Sequence, residues 1–145
     1  MDFKTSIKTC FKKYGNFSGR ATRSEFWFFY LFFFIVYIAS MILMFGISFH
    51  FMWLWTVFVF GMIVPSFAVT ARRLHDVNKS GWLQLLPMPA AVLMELLERT
   101  QEFLSLLFAI ITLGLYLYLF VQYVSHGDKK DNRFGKNPYK KRKIR

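Results

Sequence analysis

Three stretches of the chain are apolar without interruption. Phe26–Ile47, Phe51–Ala71 and Phe103–Val124 contain no Asp, Glu, Lys or Arg, and only Gln122 in the last is strongly polar. The hydrocarbon core of a bilayer is about 30 Å thick, so a helix needs about 20 apolar residues to cross it, and each stretch has that length. Their Leu and Phe side chains favour insertion by roughly 0.3 to 0.6 kcal/mol each, with no charge to oppose them. A fourth stretch, Trp82–Leu97, is apolar but short, with Pro87 and Pro89 inside it and Glu95 near its end. It is predicted as a kinked, re-entrant or interfacial segment whose proline-freed backbone groups are satisfied by neighbouring helices. Residues 2–14 show a different pattern. Phe3, Ile7, Cys10 and Tyr14 share one helical face, Phe11 lies beside it, and Lys4, Lys8, Lys12 and Lys13 occupy the rest. This predicts an amphipathic helix in the headgroup region, the alternative being an ordinary helix packed on its own protein.

The fold class is therefore all-α: a polytopic membrane helical bundle of four segments, three of full length and one short, preceded by an N-terminal amphipathic interfacial helix. The first span is too long for a signal-peptide core and no small-residue cleavage site follows it, so it is expected to be a retained anchor. Composition agrees. Of the 145 residues, 55% are hydrophobic and 19 are Phe, more than a soluble domain of this size can bury.

Charge adds the orientation. All but one of the 19 basic residues lie before the first span, between Ala71 and Trp82, or after the last span; Arg99 is the exception. Four crossings with both ends inside put the others in the cytoplasm, as the positive-inside rule requires, whereas three crossings would send one basic terminus outside. Residues 1–24 are then a cytoplasmic amphipathic segment, 25–126 the transmembrane domain, and 127–145 a basic, extended cytoplasmic tail. The ending Lys140–Arg145 can attract anionic lipid or act as a solvated topological anchor. The net charge of +11 does not signal nucleic-acid binding, because the aromatics sit inside uncharged runs instead of alternating with Lys and Arg. Cys10 is the lone cysteine, which excludes an intrachain disulfide and a cysteine-based metal cluster.

Three stretches carry distinctive patterns. In the first, Phe17–Trp27, Thr22 and Glu25 have the spacing of a capping box opening the first span. The second runs from Pro65 to Trp82. Pro65 predicts a kink, Arg72, Arg73, Leu74, His75 and Asp76 follow, and Asn78–Gly81 predicts a turn in which Ser80 caps the next helix. The third is Asn132–Pro138. The Gly19-Arg20-x-x-Arg23 stretch, the Arg72–Asp76 run, Ser80-Gly81-Trp82 and Asn132-Arg133-Phe134-Gly135, in that order, resemble the bacterial inner-membrane family called domain of unknown function 805. The resemblance covers most of the chain and implies a multi-pass protein of the inner membrane, without implying an activity.

All three stretches fall on the same predicted side of the membrane, so Arg20, Arg23, Glu25, Arg72, Arg73, His75, Asp76, Lys79 and Arg133 can meet there. One reading is a structural lock, in which Glu25 and Asp76 pair with arginines of other segments. The other is a site for anionic lipid headgroups or a phosphorylated ligand, since arginines outnumber acids and bind phosphate in a bidentate fashion. No catalytic residue, cofactor or metal site is expected. His75 and Asp76 are neighbours about 100° apart on a helix and do not form a simple dyad, and no nucleophile motif or metal spacing accompanies them. The expected function is non-catalytic: the arginine-rich face binds anionic lipid or a partner protein, with the lipid bilayer as constant partner and a homo-oligomer or membrane-protein complex as further options. The alternative is a component of a small oligomeric transporter or channel, although the three long spans hold no ionisable group of the kind such pathways use.

Overall fold

The structure is a computed structural model that describes residues 2–46, 48, 50, 52–98 and 100–139. The Lys140–Arg145 ending and Arg99 lie outside the described residues. Among the described residues five α-helices follow in order: α1 Phe3–Lys12, α2 Arg23–Gly46, α3 Met52–Asp76, α4 Pro87–Leu97 and α5 Glu102–Val124, with a 3-10 helix Gly81–Leu85 between α3 and α4. Helices α2, α3 and α5 are long and apolar enough to cross a membrane; the apolar stretch Gly81–Leu97 is shorter.

Helix α1 begins at Asp2, whose carboxylate accepts from Thr5 N at 3.3 Å. It packs on the start of α2. Cys10 and Ser6 are buried, Phe3 meets Phe28 edge-on, and Phe11 meets Phe29 and Phe32, while Lys4, Lys8 and Lys12 are exposed. The predicted apolar face is thus shared: Cys10 is buried against the protein, Ile7 is half-buried, and Phe3, Phe11 and Tyr14 touch it yet stay exposed. Aromatic rings continue the seam: Phe26 stacks near Tyr123 of α5 at 5.0 Å, and Phe33 stacks on Phe58 of α3 at 5.5 Å. Tyr30 and Thr70 join α2 to α3 through their hydroxyls, 2.8 Å apart.

Helix α3 is the central element. A third of its apolar window is buried against 11% for α2 and α5. Pro65 lies inside it, yet the helix runs unbroken from Met52 to Asp76. Proline lacks the N–H that would bond to the carbonyl four residues back, here Gly61. The Tyr14 hydroxyl, just beyond α1, donates to that Gly61 carbonyl. The N-terminal segment therefore satisfies the group that Pro65 frees, as an apolar environment demands.

Asn78 ends α3 in the left-handed region (φ 58°), with Lys79 N donating to Leu74 O at 2.9 Å. Asn tolerates that conformation, and the long-reach bond is the Schellman pattern of a helix end. Ser80 caps the 3-10 helix, accepting from Trp82 N at 3.4 Å. Gly81 has to be glycine: a Cβ there would lie 2.7 Å from Ala71 Cβ. Pro87 then opens α4 at its first turn, where a missing N–H does no harm. The 3-10 helix and α4 together reach at most about 26 Å, close to the roughly 30 Å hydrocarbon core. Helix α4 leads away from the end of α3, and α5 packs beside it and returns. The short fourth segment expected from sequence is this broken pair of helices.

Candidate functional site

The last turns of α3 change from apolar to Arg72-Arg73-Leu74-His75-Asp76. Residues three and four apart share a helix side, so Arg73 and Arg72 both lie near the Asp76 face. Arg73 Nη1 meets Asp76 Oδ2 at 2.5 Å, and Arg20, from the segment before α2, places Nε 2.9 Å from Asp76 Oδ1. The Tyr139 hydroxyl donates to Asp76 Oδ2 at 3.0 Å. Burial, followed by the negative charge of Asp76, raises the Tyr139 pKa above that of a free tyrosine.

The remaining arginine donors reach main-chain carbonyls. Arg20 donates to Lys130 O at 2.7 Å and Asp128 O at 2.5 Å. Arg73 donates to Tyr123 O at 3.1 Å and also to Ser125 O. These last two carbonyls sit at the C-terminal end of α5, the negative end of its dipole, where a cation is favoured. Asp128 N closes the assembly by donating to Asp76 O at 2.8 Å. The N-terminal segment, the end of α3 and the chain after α5 are therefore tied at one point. Gly127 makes this approach possible, since a Cβ there would collide with the Asp76 carboxylate.

A second pair joins α2 and α3. Arg72 Nη1 lies 2.5 Å from Glu25 Oε1, and Arg72 Nε donates to Ala68 O at 3.3 Å. Arg72 Nη2 has no hydrogen-bond partner among the described residues. Glu25 N donates to Thr22 Oγ1 at 3.1 Å, half of the predicted capping box. The Glu25 carboxylate also reaches Arg72 through Oε1. Cys10 Sγ lies 3.8 Å from Glu25 Oε1. Burial, then the Glu25 charge, pushes its pKa up to about 12, so Cys10 is a thiol and a poor nucleophile at neutral pH.

Exposure decides what these groups offer. Arg72, Arg73 and Asp76 are 0% exposed, Glu25 3% and Arg20 6%. Buried charges are tolerated only when paired and hydrogen-bonded, and these are. Of the other residues singled out from sequence, His75 places Nδ1 3.1 Å from Gly19 O and stacks on Phe134 with centroids 3.9 Å apart. A carbonyl only accepts, so Nδ1 carries the hydrogen. Arg133 is exposed, 4.7 Å from the Phe134 centroid, and donates to Asn78 O at 3.3 Å. Arg23 is half-buried with Nη1 3.5 Å from His126 Nε2. Lys79 is exposed and takes no part in the ion pairs.

Sequence reasoning missed Tyr139, Tyr14 and the thiol of Cys10 as partners, and no spacing in the chain announces them. Asn132 had a signal: it belongs to a patterned stretch, and its Nδ2 donates to His75 O at 3.0 Å. The tail expected to be extended is instead fastened to the end of α3 as far as Tyr139.

Long apolar helices, most of their surface facing outward, held at one end by buried ion pairs, define a multi-pass helical membrane protein. The chain belongs to the family described as Protein of unknown function (DUF805), which residues 14–136 match. That range holds every residue of the two carboxylate sites except Cys10 and Tyr139. The chain is 29% identical over 128 residues to Inner membrane protein YhaI of Escherichia coli strain K12 and, equally, of Escherichia coli O157:H7, covering 88% of this chain and 89% of each relative. No solved structure matches. The protein is an integral protein of the inner membrane.

Proposed function

We propose that the protein is a non-catalytic membrane platform with both termini in the cytoplasm, and that its basic face binds anionic lipid headgroups. The carrying observation is that Arg20, Arg72 and Arg73 are buried and engaged by Asp76, Glu25 and main-chain carbonyls. They act as a structural lock. The cations left for a ligand include the exposed ones around this site, Lys79, Lys129, Lys130, Arg133 and Lys136. Each is worth about 1 kcal/mol beside an anionic surface. The cytoplasmic placement is supported by the concentration of basic residues at this end. The non-catalytic reading draws on His75 and Asp76 being committed to different partners, Gly19 O and the arginines.

Lipid analysis of the detergent-purified chain tests this. Anionic phospholipid should be enriched over its share of the membrane, and alanine at Lys79, Lys129, Lys130, Arg133 and Lys136 together should remove the enrichment. Recovery of lipid in bulk proportions from the unaltered chain would overturn the proposal. A conventional green fluorescent protein fused after Arg145 should glow, since it fails to mature when it is exported unfolded; a dark fusion would overturn the cytoplasmic placement of the tail.

One observation favours the transporter alternative. A cavity of about 510 Å³ opens between α2, α3 and α5, lined by Tyr30, Ser66, Thr70, Gln84, Tyr116 and Tyr123 among apolar side chains. Solute flux into reconstituted vesicles, lost on Ser66→Leu, would favour that reading over the platform.

A further inference from the structure

A second cavity, about 650 Å³, runs along the outer side of α3 beside the 3-10 helix. Its lining on α3 includes Ile63, Phe67 and, past Ala71, His75, which follow one another by four residues and so climb one helix face. They cover roughly 18 Å of the axis at 1.5 Å per residue. The character changes along that path. The deep end is hydrocarbon, and the end near the ion pairs holds the His75 ring, the Ser80 hydroxyl and the Phe134 ring.

Lys79 and Arg133 flank the mouth without lining the cavity: Arg133 Cζ lies 4.7 Å from the centroid of the lining Phe134 ring, and its Nη2 donates to the carbonyl of Asn78, the neighbour of Lys79, at 3.3 Å. Lys79 and Arg133 are each next in sequence to a lining residue and both are exposed, whereas Asp76 is fully buried and taken up by arginines. Trp82, 79% exposed, stands at the rim, and tryptophans of membrane proteins gather at headgroup depth. His75 Nδ1 is held by Gly19 O, which leaves Nε2 as the ring's second polar atom.

We propose that this groove binds a single anionic phospholipid, one acyl chain along Ile63 and Phe67 and the phosphate between Lys79, Ser80 and Arg133. The assignment rests on the lipid-binding reading above and names its specific site. A soluble anion would leave the apolar part of the groove unfilled. A second copy docked here about a two-fold axis would bring its own Lys79 and Arg133 against these two, like charge on like.

The full-length chain, stripped of lipid in detergent, is titrated with phosphatidylglycerol or phosphatidylcholine and followed by native mass spectrometry. One phosphatidylglycerol should be retained, about tenfold more tightly than phosphatidylcholine. Lys79→Ala and Arg133→Ala should each weaken phosphatidylglycerol about fivefold and leave phosphatidylcholine unchanged. Ile63→Trp, which fills the deep end without touching a cation, should abolish retention of both at unchanged melting temperature; Val64→Trp is the second filling variant if the first misfolds. Retention of phosphatidylglycerol by a folded filling variant would overturn the assignment. So would full competition by inorganic phosphate, which marks a soluble-anion site, or a dimer that dissociates on filling, which marks a second copy. If the filling variants keep the lipid while the combined alanine variant loses it, the platform stands and the groove assignment falls.

Discussion

The two ends of the helical bundle are built differently. At one end every described ion pair is found, and the bonds join residues far apart in sequence: Arg20 to Asp76, Arg72 to Glu25, Arg20 to Asp128 and Lys130, Tyr139 to Asp76. At the other end the hydrogen bonds among the described residues span no more than 11 positions in sequence. Ser48 Oγ lies 2.8 Å from His50 Nδ1, Gln101 N donates to Leu97 O at 2.9 Å, and Ser105 Oγ donates to Met94 O at 3.1 Å. In lipid, apolar side chains gain little by choosing one another over acyl chains, so packing and polar contacts decide which helices stay together. This protein concentrates its polar contacts at one end. The difference teaches that helix arrangement here is set at the basic end, while the far end serves to reverse the chain.

Substitutions can break that contrast. The largest effect is expected from Asp76→Ala, which strips Arg20 and Arg73 of their carboxylate and leaves two buried guanidinium groups uncompensated. A loss of about 3 to 5 kcal/mol is expected. It would be read as loss of monodisperse protein or a large fall in melting temperature, whereas Ser48→Ala at the far end should stay within about 0.5 kcal/mol. Equal effects from the two would refute the contrast. Next is Gly127→Ala, whose methyl group must push aside the Asp76 carboxylate, at about 1 to 3 kcal/mol by thermal melting.

Tyr14→Phe tests the reach of the N-terminal segment into the membrane portion of α3. It leaves the Gly61 carbonyl without its donor and should cost about 1 kcal/mol or somewhat more. In a Pro65→Ala background, where the helix can bond that carbonyl itself, the same change should cost less. The smallest effect concerns alkaline pH. The Tyr139 pKa is raised above the ordinary 10.0 in the folded state, so folding favours the neutral phenol. Its contribution is complete below pH 10 and lost as pH rises beyond it. Melting temperature should therefore decline above pH 10, and Tyr139→Phe should flatten the decline.

Much of the architecture was legible in the chain. Insertion is a sum over consecutive residues, so Phe26–Ile47, Phe51–Ala71 and Phe103–Val124 read as α2, α3 and α5 without knowledge of their neighbours. The lysine and aromatic alternation before them read as α1, and Asn78–Gly81 read as the turn after α3. The short segment read as kinked, re-entrant or interfacial, and its division into a 3-10 helix and α4 depends on Gly81 fitting against Ala71. The members of the charged cluster were also legible, since so few charges fall near the span ends. Their pairing was not. Glu25 had a local role in the capping box, and only the approach of α3 beside α2 gives it Arg72 as well. Asp76 lies 56 residues from Arg20 and 63 from Tyr139, separations that spacing cannot bridge.

By itself, then, the order of residues determined that apolar helices traverse a bilayer, that basic groups gather at one end, and which side chains were candidates to meet there. Transfer into lipid and local capping are energies of neighbouring residues, readable along one strand of text. The tertiary structure alone decided that Arg20, Arg72 and Arg73 would be taken up as internal partners instead of offered to a ligand. A buried charge is stable only against a partner delivered by another part of the chain, and that delivery is a property of how the helices sit together.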